Sequence, residues 1–252
     1  MIIADTHLHF YPHYDFGSAV QGCIRRLQAL APDATCVGFL AERSDCNVYR
    51  ALAEGTAGAL THNVSVSRTR DRKCLVVQCF NTPPLYLCPG RQVVTQERLE
   101  LLCLTSDADI PDGLPAVEAV MRIREVGGIP VLTWAVGKWL FGRASVVRAL
   151  LDRFGPDELL VGDSAMRPLF WPTPRTMRMA RKHGYTILAG TDPLPAEGDA
   201  RVMGRYASLL DADFDLDRAR ASLREALRAD QDLVKVVGSR SGLFEFVRRM
   251  RI

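Results

Sequence analysis

Short apolar runs alternate along this chain with longer stretches in which apolar residues recur every three or four positions, a pattern that predicts strands and amphipathic helices in turn. Ile2-Ile3-Ala4 reads as a first strand, Ser18 to Leu30 as a helix, Thr35 to Leu40 as a second strand and Val48 to Glu54 as a second helix. The pattern then changes. Val64 to Arg68, Cys74 to Cys79, Leu85 to Leu87 and Leu99 to Leu104 read as strands with little helix between them, a region that could be a hairpin layered on the main sheet. Alternation resumes with a helix over Leu114 to Glu125, stopped by Gly127-Gly128, and a buried strand over Ile129 to Thr133. Val146 to Phe154 (helix), Leu159 to Val161 (strand), Pro174 to His183 (helix, stopped by Gly184) and Thr186 to Ala189 (strand) follow, and helices near Leu216 to Leu227 and Leu243 to Met250 finish the chain. Repeated βα units predict an α/β fold around a parallel sheet. No linker, low-complexity segment or internal repeat interrupts them, so one domain over residues 1–252 is expected.

Composition narrows the class. The chain has 252 residues, 48% of them hydrophobic and 24% charged, enough apolar material for a large core. A single β/α barrel takes about 250 residues, which this length matches. The 28 Arg and 4 Lys are spread along the chain and nearly balanced by 29 acids, so no nucleic-acid footprint is visible, and small anionic substrates remain as partners. The opening Met-Ile-Ile-Ala-Asp-Thr-His lacks a basic segment and meets a charge at Asp5, unlike a secretory signal, and no apolar run approaches the ~18 residues of a membrane span. Seven cysteines, Cys23, Cys36, Cys46, Cys74, Cys79, Cys88 and Cys103, form no CxxC pair and mostly lie in apolar runs, so buried reduced thiols in a cytoplasm are expected. Oligomeric state is left open.

In a β/α barrel the reactive groups gather at the carboxyl ends of the strands. The first strand ends Ala4-Asp5-Thr6-His7-Leu8-His9, and a period of two points His7 and His9 the same way, a pair of imidazoles suited to one divalent cation. Ile187 to Pro193 delivers Asp192 into a tight turn, where its carboxylate could complete such a shell. Leu160-Val161-Gly162-Asp163-Ser164 has the same form, with a stronger case for a structural role. After the strand Ile129 to Thr133, Trp134 to Arg143 brings Lys138 and Arg143, which could hold a phosphate or carboxylate, and Trp139, which could stack against a substrate. Each feature also has an ordinary reading: hydrogen-bonded strand-end histidines, a turn-capping aspartate, tryptophans covering the barrel mouth.

The Asp-x-His-x-His of residues 5–9, Gly-Gly-Ile-Pro-Val-Leu at 127–132, Ala-Gly-Thr-Asp at 189–192 and Pro89-Gly90-Arg91-Gln92-Val93-Val94-Thr95 together resemble the polymerase and histidinol phosphatase (PHP) family, and more loosely the metal-dependent amidohydrolase barrels. The resemblance implies a distorted seven-stranded, TIM-like (β/α)7 barrel whose open end holds up to three divalent ions, usually zinc, manganese or iron, for hydrolysing phosphoesters. His7, His9 and Asp192 match that pattern. Gln92 stands where the family has a bridging glutamate, Glu100 where it has a histidine, and Trp134 and Leu194 in place of two further histidines. What remains, His7, His9, Glu100 and Asp192, suits a reduced site of one ion, zinc first and manganese or iron as alternatives. Such a site leaves an open position where water is activated toward a pKa near ~7. Asp192 or Glu100 would accept the proton, and Lys138 with Arg143 would neutralise the leaving oxygen. The alternative is a barrel with no metal, serving as a ligand-binding or protein-interaction module.

Overall fold

The computed structural model describes residues 1–58 and 63–251. In chain order its main elements are β1 (Ile2–Leu8), α1 (Phe16–Leu30), β2 (Thr35–Leu40), α2 (Val48–Glu54), β3 (Val64–Arg68), β4 (Leu75–Cys79), β5 (Leu85–Cys88), β6 (Gly90–Val94) and β7 (Glu100–Leu104). These are followed by α3 (Ala116–Glu125), β8 (Ile129–Thr133), α4 (Arg143–Arg153), β9 (Leu160–Ser164), α5 (Arg175–Lys182), β10 (Ile187–Gly190), β11 (Tyr206–Leu210), α6 (Ala219–Leu227), β12 (Val234–Gly238) and α7 (Leu243–Arg249). Among the described residues no helix is long and apolar enough to cross a membrane.

The strands form two sheets, ordered β12-β11-β1-β2-β5-β4-β3 and β10-β9-β8-β7-β6. Both are mixed, which corrects the expected parallel sheet. β1, β2 and β5 run parallel, as do β8, β9 and β10, but β3-β4-β5 and β6-β7-β8 are antiparallel ladders. β3, β4 and β5, and likewise β6 and β7, follow one another without an intervening helix and reverse direction, whereas β7 and β8 are antiparallel although α3 lies between them. Of β11 and β12, which the hydrophobic pattern did not single out, β11 pairs antiparallel with β1 and β12 antiparallel with β11. Neither sheet closes on itself. The two sheets nevertheless meet at both margins. On one side Glu42, just past β2, pairs with Arg91 of β6. On the other, Thr6 Oγ1 donates to the Ala189 carbonyl (3.0 Å), and the Asp192 N–H donates to the His7 carbonyl (2.9 Å).

Side chains alternate across the strands to build layers. Ile2, Ala4, Val37, Phe39, Leu102, Val131, Leu160 and Leu188 fill the space between the sheets, with α6 below. Ile3, Cys36 and Leu40 face outward onto α1, while α3, α4 and α5 cover the outer face of the second sheet. All seven cysteines are free thiols, and all but half-buried Cys46 are buried, in keeping with the expectation.

Each margin carries a glycine that permits the approach. A Cβ at Gly90 would collide with the Leu40 carbonyl oxygen, and one at Gly190 with the Cβ and backbone nitrogen of His7. Because the obstacle at Gly190 is backbone, it cannot step aside as a flexible side chain would. Gly190→Ala is expected to lower stability by at least about 2 kcal/mol, read from urea unfolding midpoints; an unchanged midpoint would show that the margin has slack.

Candidate metal centre

β1 sets the site through an irregularity. Ile3 and Leu8 both pack into the outer layer against α1, although strict alternation would place them on opposite faces. The register of β1 against β2 shifts between Asp5 and Leu8, and this shift turns His7 toward the cavity. Asp5, just before it, is an anchor. It is fully buried and accepts from the backbone N–H groups of Thr191 (2.9 Å), Gly204 (2.9 Å) and His7 (3.2 Å) and from the Thr191 hydroxyl (2.5 Å). Burial pushes its carboxyl up to about 6 against the pull of those donors. Its bonds tie the end of β10 to β1, directly beside Asp192.

The histidine pair and the late-strand aspartate meet as the motifs suggested. His7 Nε2 and His9 Nε2 each lie 3.5 Å from Asp192 Oδ1, and the ring centroids are 4.9 Å apart. Both imidazoles are buried. Around an ion with ligand bonds of about 2.1 Å, a tetrahedral arrangement separates neighbouring donors by about 3.4 Å, which the two imidazole-to-carboxylate distances match, and all three potential ligand atoms lie within 4.8 Å of one another. His7 Nε2 also lies 3.2 Å from Gln92 Oε1, and Ser164 Oγ donates to Asp192 Oδ2 (3.2 Å). Among the described residues no partner reaches His7 Nδ1. Burial alone would raise the Asp192 carboxyl, but His7, His9 and Arg249 outweigh it and hold it well below the usual carboxylate range.

Glu100 lies outside this three-residue cluster. It starts β7, and because β7 runs antiparallel its first residue sits opposite Thr133, the last of β8. That brings Glu100 to the carboxyl end of β8, where Lys138 Nζ lies 3.3 Å from Glu100 Oε1. Burial and the nearby Asp192 raise the Glu100 carboxyl, while Lys138 and His7 pull it down. The other cations and aromatics expected in this region sit elsewhere. Trp139 is buried in the core of the second sheet and donates to the Thr133 carbonyl (3.1 Å), so its ring is no stacking wall. Arg143 donates to the Gly137 carbonyl (2.8 Å) and does not line the cavity. Trp134 is buried against Trp171. Asp163 is held by Arg167 (2.8 and 2.5 Å) and the Tyr206 hydroxyl (2.7 Å), a purely structural cluster.

The cavity, about 240 Å³, is walled by strand ends from both sheets: His9, Gln92, Glu100, Lys138, Met166 and Asp192, with Tyr11, Arg43, Leu194 and Met250 at its rim. A larger outer groove of about 600 Å³ between α4 and α5 has no ligand cluster beside it among the described residues. Arg43, which the sequence reading passed over, takes the place expected of Arg143. A charged residue three positions past the second strand was the available signal. Its turn is held from beneath by buried Arg91, which donates to the Cys46 carbonyl (2.7 Å) and Asn47 Oδ1 (2.7 Å), and by Glu42, which accepts from the Tyr49 N–H (2.9 Å).

No protein-family sequence model matches the chain, and no curated protein sequence does. Solved structures do match in fold. PsfC from Pseudomonas syringae PB-5123 is 12% identical with a TM-score of 0.61, over 94% of this chain and 91% of that one. A two-domain protein from Bacteroides vulgatus ATCC 8482, containing a predicted PHP-like metal-dependent phosphoesterase, is 12% identical with a TM-score of 0.52, over 94% of this chain. The lesion-specific endonuclease PfuEndoQ from Pyrococcus furiosus is 12% identical with a TM-score of 0.51, over 93%. This chain spans 65% and 57% of the length of the latter two. The chain shares its mixed α/β fold with these proteins; its two sheets do not close into the barrel that the motif resemblance implied.

Glu42 gives the turn a pH signature. Burial pushes its carboxyl from 4.5 up to about 7, against the Tyr49 N–H and Arg91. Between those values the folded protein keeps a proton that the unfolded chain has released, so Glu42 makes stability fall as pH rises through that window. Glu42→Gln, which retains an acceptor for Tyr49, is expected to flatten this slope and to gain about 2 kcal/mol over wild type near pH ~8, with no gain near pH ~4. Urea midpoints across that range measure it.

Proposed function

We propose that the chain is a divalent-metal hydrolase acting on a small phosphoester, folded as one domain. In this reading β1, β2, β6, β7, β8, β9 and β10 make a distorted seven-stranded barrel with its open end at the cavity. The observation that carries the reading is the pair of Nε2 atoms each 3.5 Å from Asp192 Oδ1 in a cavity rimmed by cations. The donor set fits one ion. Two imidazoles and a carboxylate favour zinc and leave a position open. A divalent ion held by His7, His9 and Asp192 supplies Lewis-acid activation of water and of a phosphoryl oxygen.

The protein's own groups divide the remaining work. Asp192, its carboxyl depressed, is a ligand rather than a base. Glu100, its carboxyl raised, is the proton acceptor. Lys138 and Arg43, both lining the cavity, neutralise the substrate's anionic oxygens, Arg43 replacing Arg143 in that role. The cavity's size suits a small molecule.

A second reading, a barrel without metal that binds a ligand or a protein, draws on Gln92, Trp134 and Leu194 and on His7 Nδ1, which lacks the acceptor that usually orients a metal-bound imidazole. Metal analysis of protein purified without chelator separates the two. The hydrolase reading expects about one equivalent of zinc, manganese or iron per chain, lost in His7→Ala/His9→Ala together with hydrolysis of an aryl phosphate. Less than about a tenth of an equivalent, with no rise in melting temperature on adding metal, supports the second reading. For the walls, Arg43→Met is expected to weaken inorganic phosphate competition by about 2 kcal/mol, whereas Arg143→Met leaves it unchanged; equal effects would return Arg143 to the site.

A further inference from the structure

Arg249, in the last turn of α7, heads the fully buried side chains by volume among the described residues. An arginine taken out of water must serve definite partners. Its Nη2 donates to the backbone carbonyl of Asp192 (2.7 Å) and to Asp199 Oδ2 (2.9 Å), and its Nη1 to Ser241 Oγ (3.3 Å). Asp199 Oδ2 in turn accepts the Leu194 N–H (2.7 Å). The arginine therefore grips both ends of the segment that follows β10.

Asp192 needs such a grip. Its φ is 51°, the left-handed region that a non-glycine residue occupies only when its surroundings compel it. Its N–H is bound to the His7 carbonyl and its own carbonyl to Arg249, so the peptide on either side is restrained from opposite directions. The carboxylate that faces the imidazoles projects from this backbone. Relaxing the left-handed turn would swing Oδ1 away from His7 and His9.

Resting on the metal reading above, the geometry points to Arg249 as the positioning residue of the metal centre: α7 holds Asp192 in its strained conformation and so sets the affinity for the ion. Coupling of this kind is reciprocal. An ion at His7, His9 and Asp192 must in turn tighten α7.

Two measurements on the full chain test this, with zinc as the probe. In wild type, saturating zinc is expected to slow amide hydrogen exchange over α7 and over residues 192–199, and to leave the outer helices α4 and α5 unchanged. Zinc competition against a chromophoric chelator is then compared among variants. Arg249→Gln ends too short to reach the Asp192 carbonyl or Asp199, and Arg249→Met/Asp199→Asn removes the ion pair without stranding a buried carboxylate. Both are expected to weaken zinc by about tenfold or more, the scale of losing an outer-shell partner. Arg224→Met, which cuts a guanidinium from Thr105 and the Gly127 carbonyl outside the cavity, controls for general destabilisation and is expected to keep wild-type affinity. Wild-type affinity in the folded Arg249 variants, or unchanged α7 exchange with zinc bound, overturns the inference while the metal site stands. Failure of wild type to bind zinc at all overturns both.

Discussion

The site depends on β10 passing within backbone contact of β1. At that margin the Asp192 N–H reaches the His7 carbonyl, Thr6 reaches the Ala189 carbonyl, and Asp5 gathers the Thr191 N–H and hydroxyl. Only a residue without a Cβ fits at position 190. The same short approach that joins the two sheets also brings His7 and His9 beside Asp192, nearly two hundred positions away. Stability and chemistry are therefore coupled here. The buried carboxylate Asp5 is retained because its donors fix the register of β10, not because a charge in the core is favourable in itself.

Within the cavity the charges are sorted by environment. Asp192, beside two imidazoles and near Arg249, is held ionised. Glu100, buried near Asp192, is pushed the other way and partly relieved by Lys138. In the proposed hydrolase the two carboxylates, driven apart in this manner, would take different parts, Asp192 as a ligand and Glu100 as a group that exchanges protons. Lys138 also supplies positive charge beside Glu100. Arg43 lines the same cavity, its turn held by Arg91 and Glu42.

Much of this was legible from residue order. Periodicity located most of the helices and the strands of both sheets, because burial of one face leaves a period of two or of three to four in the sequence. The motif residues His7, His9 and Asp192 were recognisable because strand ends in such folds share one open face. Strand direction was less legible. Glu100 looks like the wrong end of a strand until β7 is known to run antiparallel. Trp139 and Arg143 lie in the right loop, yet packing of the indole beneath the sheet and a backbone contact of the guanidinium take both away from the cavity. Nothing in the local pattern marked β11, which pairs with the first strand of the chain, or β12, which pairs with β11.

The identities and spacing of the ligands, the alternation that builds the two sheets, and the glycines at their margins are properties of the chain read locally. A hydrophobic repeat or a dipeptide turn acts over a few residues and leaves its trace there. Which face His7 presents was decided by a register shift that satisfies Leu8 in the outer layer. Which arginine reaches the cavity, and the burial of Arg249 against the backbone of Asp192, were settled by contacts between distant segments. Long-range packing selects among conformations that local preference leaves nearly equal, so those choices exist only in the folded molecule.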